Sequence, residues 1–124
     1  MRPIIGLMLA ALLMSCATGT ARISGVSDIA VTGVRSTEKS CKPSDVAIDS
    51  GRAAAYFRRA QLVDFRTIHD QYDWVECYAE GSLVEKGRTC SWKIQAGGVG
   101  IVDCAGETRY VACRHCDDLL LRRP

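Results

Sequence analysis

Two cysteines near the carboxyl end have the spacing at which thiols carry out disulfide exchange. The motif Cys113-Arg114-His115-Cys116 follows an apolar segment with the composition of a strand and precedes a segment predicted as a short helix. Neighbouring cations and a helix amino terminus both favour the thiolate, so this setting fits a redox pair. Asp117 and Asp118 oppose that effect, and little sequence follows to build a substrate groove. We therefore expect a structural disulfide, with a thiol–disulfide redox protein as the alternative.

The sequence contains seven cysteines, and their distribution predicts how they are used. Cys16 stands apart, directly behind an apolar amino-terminal segment, whereas the other cysteines are spread over the rest of the chain. An even set of cysteines in a small exported domain indicates a disulfide framework. The disulfide candidates are Cys41, Cys77, Cys90, Cys104, Cys113 and Cys116.

Other chemistry has weaker support in the sequence. A zinc knuckle would need ligands beyond the Cys113–Cys116 pair, and a second CxxC or an HxxxH motif is absent. The further ligands would have to come from Cys41, Cys77, Cys90 or His69. His69 lies beside Asp70, which is more typical of a solvated pair than of an acid–base catalyst. We predict no metal, no cofactor, no catalytic residue and no enzymatic activity.

The amino-terminal segment has the organisation of an export signal. A basic start at Arg2 is followed by an apolar run, Ile4 to Met14, which is shorter than the roughly 20 residues that a membrane-spanning helix needs. The run ends in Leu13-Met14-Ser15-Cys16, which resembles the bacterial lipobox. The resemblance implies a bacterial lipoprotein with a signal peptide over residues 1–15 and diacylglycerol on Cys16. The alternative is ordinary cleavage after Ala17, with small residues at the required positions.

Lipidation would hold the folded domain close to a membrane surface. Two or three acyl chains hold a protein on a membrane, and the tether, residues 16–21, reaches no more than about 17 Å at roughly 3.4 Å per residue. Ala17 behind the cysteine implies, by the same resemblance, the outer membrane, with the domain facing the periplasm. The 16 basic and 14 acidic side chains nearly balance, so we expect no nucleic-acid partner. Residues 22–124 suffice for a single domain.

The elements that position the cysteines are predicted as one or two amino-terminal strands, then a helical part, then further strands. Residues 22–34 have the β-branched composition of one or two short strands. Asp49 or Ser50 caps a helix over residues 51–60, in which the apolar positions recur with helical spacing. These positions are Ala53, Tyr56, Phe57 and Ala60. Asp64 introduces a second short helix, Phe65 to Gln71.

From Trp74 onward the sequence is typical of an antiparallel meander. Glycine-containing turn signals recur along it, at Glu80-Gly81, Lys86-Gly87, Gly97-Gly98 and Ala105-Gly106. We expect an α+β fold in which a four- or five-stranded antiparallel sheet, braced by disulfides, carries one main helix. A three-residue turn centred on Gly97 places Cys90 opposite Cys104 and Trp92 opposite Val102, close enough for a disulfide.

The domain also resembles small exported proteins of Proteobacteria. The resemblance rests on the segments AYFRRA, YDWVEC, CSWKI and YVACRHC, and it implies no catalytic residues. The function expected from the whole sequence is that of a membrane-anchored envelope lipoprotein. It would be a non-enzymatic module that binds an envelope protein or another envelope component close to the membrane.

Overall fold

A computed structural model describes residues 21–37 and 39–122 and builds them around one antiparallel sheet. The sheet has six strands in the order β1-β3-β4-β5-β6-β2. The strands are β1 (Val26–Ser36), β2 (Gln61–Val63), β3 (Cys77–Glu85), β4 (Arg88–Gln95), β5 (Val99–Cys104) and β6 (Glu107–Ala112). The helices are α1 (Ser50–Arg59), α2 (Phe65–Gln71) and α3 (Asp117–Leu120), with a short 3-10 turn at Pro43–Asp45.

The predicted four- or five-stranded sheet with one main helix is therefore wrong. The first strand is a single element of 11 residues rather than one or two short strands, and irregularities in its pairing with β3 accommodate the breaks in its sequence pattern. The strand that the sequence does not reveal is β2, whose three residues are too few to display an alternating pattern. It forms because Leu62 lies opposite Val111 on the edge of β6.

The sequence suggested a turn at Gly81, but this residue lies inside β3. A Cβ atom at this position would lie 1.8 Å from the carbonyl oxygen of Ala30 in β1 and 2.6 Å from the Trp92 ring. The glycine is required by the close approach of two strands and one large ring, and not by the conformation of a turn.

The other predicted turns are confirmed. Lys86 and Gly87 connect β3 to β4, and Ala105 and Gly106 connect β5 to β6, all with positive φ angles. The turn between β4 and β5 is centred on Gly97, and Trp92 lies opposite Val102, as the register predicts.

The helix predicted over residues 51–60 is present as α1, one residue earlier in the chain, and it covers one face of the sheet. The Asp49 side chain accepts a hydrogen bond from the Arg52 backbone at 2.8 Å, which caps α1. The buried face of α1 is the predicted one, and Phe57 packs edge-on against Trp92 with ring centroids 5.9 Å apart. The core therefore lies between α1 and the sheet face that carries Trp92.

Tyr56 connects α1 to one end of the sheet. Its hydroxyl donates a hydrogen bond to the carbonyl oxygen of Gly98 at 2.8 Å. The same oxygen accepts a hydrogen bond from the Cys113 backbone at 3.0 Å. Burial raises the pKa of the Tyr56 phenol, because an ionised phenolate would be desolvated there. The helix, the β4–β5 turn and the CxxC segment are thus joined at one point.

The second helix has the predicted bounds and lies against the other face of the sheet. Asp64 caps α2 by accepting a hydrogen bond from the Thr67 backbone at 2.7 Å. Hydrogen bonds from the Thr67 side chain and backbone lower the pKa of Asp64. The Phe65 ring packs on Tyr110, whose neighbour Val111 points into the core. Since side chains alternate along β6, α2 contacts the face that α1 leaves uncovered.

Candidate functional site

The cysteines of the described part of the chain form three disulfides, which confirms disulfide bonding. The Cα atoms of the three pairs lie 6.1, 4.4 and 5.7 Å apart in chain order. The pairs are Cys41–Cys77, Cys90–Cys104 and Cys113–Cys116. Cys16, the lipobox and the predicted signal peptide lie outside the described residues.

The Cys90–Cys104 disulfide is the one that the strand register predicts. Both cysteines are buried on the core face, next to Trp92 on β4. Arg109 reaches this disulfide from β6, and its guanidinium lies 3.3 Å from the Cys104 sulfur and 2.6 Å from a carboxylate oxygen of the buried Glu85. This ion pair is a feature that the sequence did not reveal, since its partners are distant along the chain. Burial on the core face and these contacts are typical of a structural disulfide.

The Cys113–Cys116 disulfide lies at the end of the sheet where the backbone leaves β6. Cys116 is fully buried and precedes α3, whereas Cys113 is only partly buried. Of the two basic residues between them, Arg114 is engaged elsewhere, because its side chain donates a hydrogen bond to Gln71 and lies over the ring of Tyr72. A depression of about 240 Å³ adjoins Cys113. A thiol reagent could therefore approach Cys113 more easily than Cys116.

A second surface feature lies near the Cys113–Cys116 disulfide, and the sequence did not predict it. A cavity of about 440 Å³ lies between α2 and the segment that follows it. Its lining contains Ile68 and four ring-bearing residues, which we call the aromatic surface: Phe65, His69, Tyr72 and Trp74. Phe65 is 56% exposed and Trp74 is 46% exposed, the highest values among the large hydrophobic side chains of the described residues. Water therefore contacts much of these two rings, whereas Tyr56, Phe57 and Trp92 are buried.

The sequence builds the aromatic surface through helical spacing. Phe65, Ile68, His69 and Tyr72 recur at the interval that places residues on one helix face. Ile68 is buried beneath them, and the Phe65 ring is fixed by its packing on Tyr110, with centroids 5.6 Å apart. The spacing was the signal that could have predicted this surface, whereas attention to His69 alone could not.

The segment after α2 holds Trp74 in place. A Cβ atom at Gly97 would lie 2.9 Å from the Asp73 carbonyl oxygen, so this segment passes directly over the β4–β5 turn. The indole nitrogen of Trp74 donates a hydrogen bond to Glu76 at 2.6 Å. The Trp74 ring consequently has its polar nitrogen hydrogen-bonded, while the apolar part of the ring is exposed.

The charged groups around the aromatic surface are mixed in sign. Arg66 is largely exposed and lies 4.0 Å from Asp70, which also contacts His69 at 3.1 Å. His69 and Asp70 are both mostly exposed, as expected of a solvated pair rather than a catalytic one. Asp73 and Glu76 add negative charge beside Trp74. The surface therefore has no strong preference for a ligand of either charge.

A polar groove of about 410 Å³ lies farther along the sheet, on the face that α1 leaves uncovered. Its lining includes Glu80 on β3 and Ser91 on β4, together with Lys93, Asp103 and Thr108. Arg35 from β1 forms an ion pair with Glu80 at 2.7 Å, and Lys93 lies over the Tyr78 ring. These pairs give the groove a polar surface with charges of both signs.

Within residues 21–37 and 39–122, no group of three or more histidine, cysteine or acidic residues is arranged to hold a metal ion. The same residues contain no helix of the length and hydropathy required to cross a membrane. Comparison of the chain with protein-family models, with curated proteins and with solved structures gives no match.

Proposed function

We propose that the protein is a lipid-anchored module of the bacterial cell envelope, carried by the outer membrane, that acts by binding rather than by catalysis. The observation that supports the anchor is the pairing of the cysteines. All the cysteines of the described residues are used in three disulfides, and the sequence contains seven. Cys16 is the one left over, and it is the cysteine with a lipobox before it.

The disulfides also support an exported, non-enzymatic protein. Such bonds persist in oxidising compartments, and a small domain uses them to supplement a modest core. Two of the three disulfides close long loops of the chain, and each of these two has at least one fully buried cysteine. Their role is to brace the sheet that carries the polar groove and the aromatic surface.

The anchor is tested by the mass of the amino-terminal peptide of the mature protein. We expect a peptide that begins at Cys16 and carries the mass of diacylglycerol. Cys16→Ser should leave an uncleaved precursor or a soluble protein cut after Ala17. An unmodified peptide that begins at Thr18 in the wild-type protein would refute the lipid anchor and support ordinary secretion.

A thiol–disulfide redox protein is the second candidate, because Cys113 is partly exposed beside a depression. Cys116→Ala leaves Cys113 as a single thiol, and Cys104→Ala is the matched control that leaves the buried Cys90. A redox centre would show rapid alkylation of Cys113 at mildly acidic pH and mixed disulfides with other proteins. We expect slow alkylation in both variants and no trapped partners, as for structural bridges.

A further inference from the structure

We propose that the aromatic surface lies in the interfacial region of the phospholipid bilayer to which the protein is anchored. The inference rests on the lipid anchor proposed above. It adds a second, non-covalent contact with lipid and thereby defines which side of the domain faces the membrane.

The first argument is where the tether joins the domain. The carbonyl oxygen of Ala21 accepts a hydrogen bond from the Leu62 backbone at 2.8 Å, so the chain is fixed to β2 from its first described residue. Leu62 precedes Phe65 by no more than about 11 Å of backbone, at roughly 3.8 Å per residue. The aromatic surface therefore lies on the part of the domain where the tether is attached.

The second argument is the length of chain between the anchor and that point. Residues 16–21 reach about 17 Å when fully extended, at roughly 3.4 Å per residue. A domain held so close meets the bilayer surface at a high effective concentration. A contact too weak to bind the membrane alone would then still be formed for most of the time.

The third argument is the chemistry of the rings. Trp74 has its indole N–H hydrogen-bonded to Glu76 while its apolar body is exposed, and Phe65 presents its ring beside it. Aromatic residues with one polar and one apolar part concentrate at the boundary between headgroups and acyl chains. Both rings are already fixed by neighbouring residues, so lipid contact requires little additional ordering.

The charges decide which kind of lipid the surface takes. Arg66 offers a cation next to Phe65, but Asp70, Asp73 and Glu76 surround the same rings. Attraction to anionic headgroups would be offset by these carboxylates. We therefore expect contact with zwitterionic phospholipids, with little dependence on salt or on added anionic lipid.

The test uses the two tryptophans of the chain, one on the aromatic surface and one in the core. Lipidated full-length protein is reconstituted into phosphatidylcholine vesicles with and without bromine on the acyl chains, since bromine quenches a nearby indole. The wild-type protein should lose emission in the brominated vesicles, and Trp74→Phe, which retains buried Trp92, should not. Phe65→Glu should reduce the loss while the lipid anchor stays intact.

A matched control moves the reporter to the opposite end of the sheet. Thr89 is exposed near the β3–β4 turn, and Thr89→Trp in the Trp74→Phe background should remain unquenched. If lipidated wild-type protein shows no quenching, the contact is absent although the anchor stands. Equal quenching of both reporters would show an undirected domain and would also overturn the proposal. Absence of diacylglycerol from the protein would refute the anchor, and the inference with it.

Discussion

Removal of the disulfides one at a time should destabilise the protein about equally for the two that close long loops, and only about half as much for the one that closes the short loop. The three loops succeed one another along the chain without overlap, and their cysteines are separated by 36, 14 and 3 residues. Each bond therefore restricts its own part of the unfolded chain. The perturbation is a pair of Cys→Ala substitutions that deletes the first, second or third disulfide in chain order.

Two contributions give the expected magnitudes. Loop closure in the unfolded state predicts losses of about 3.8, about 3.0 and about 1.6 kcal/mol for the three bonds. Removal of a buried sulfur adds about 1 kcal/mol, comparable with a buried methylene. The second disulfide has two such sulfurs, and the first and third have one each, Cys77 and Cys116. The first two variants should each lose about 5 kcal/mol and the third about 2.5 kcal/mol.

The assay is equilibrium unfolding in urea of the oxidised proteins, after peptide mapping has verified that the two remaining disulfides are native. A total stability of about 5–15 kcal/mol makes the first two losses severe, so those variants should be studied at low temperature. A third variant that loses as much as the first would refute the loop-length argument. It would mean that Cys113–Cys116 stabilises the folded state directly.

Three further predictions test single contacts. Tyr56→Phe should cost about 1 kcal/mol at neutral pH. Because the pKa of Tyr56 is raised on folding, its contribution is complete at neutral pH and falls as the pH rises above about 10, and urea unfolding of the variant should lack this loss. Asp64 has a lowered pKa, so its contribution is present at neutral pH and is lost as the pH falls through its folded pKa, below about 3.9. Hydrogen exchange should be faster in α2 in Asp64→Ala, whereas Asp64→Asn should keep the cap but lose the pH dependence. Gly81→Ala should cost about 4 kcal/mol or more, since its Cβ would strike Ala30, while Gly87→Ala, with open space around its Cβ, should cost about 1 kcal/mol in thermal or urea unfolding.

The features that the sequence predicted correctly are determined by nearby residues. An acidic cap at Asp49 or Asp64 begins a helix because it accepts hydrogen bonds from the first turn, and this requires no distant partner. The hairpins at Gly87 and Gly106 follow from the φ angles that their turns need. The Cys90–Cys104 pairing follows from the turn at Gly97, because a turn fixes the register of its strands.

The features that the sequence did not predict depend on residues that are far apart in the chain. Gly81 resembles a turn residue locally, and only the position of β1 shows that a side chain there has no space. The 11 residues of β1 similarly form one strand because β3 offers a long partner, although the local sequence suggests interruptions. Distant pairing overrides local preference in both cases.

Dependence on distant pairing also explains why the sequence did not predict the aromatic surface. The spacing of Phe65, Ile68 and Tyr72 predicts an apolar helix face, and an apolar face ordinarily indicates burial. Burial requires a strand beneath the whole helix, but β2 ends at Val63, opposite Tyr110, and is the last strand on that side of the sheet. Ile68 is buried, whereas Phe65 packs on Tyr110 with one side and meets water with the other. The short strand that the sequence could not reveal is thus also the reason that one side of the Phe65 ring is left exposed.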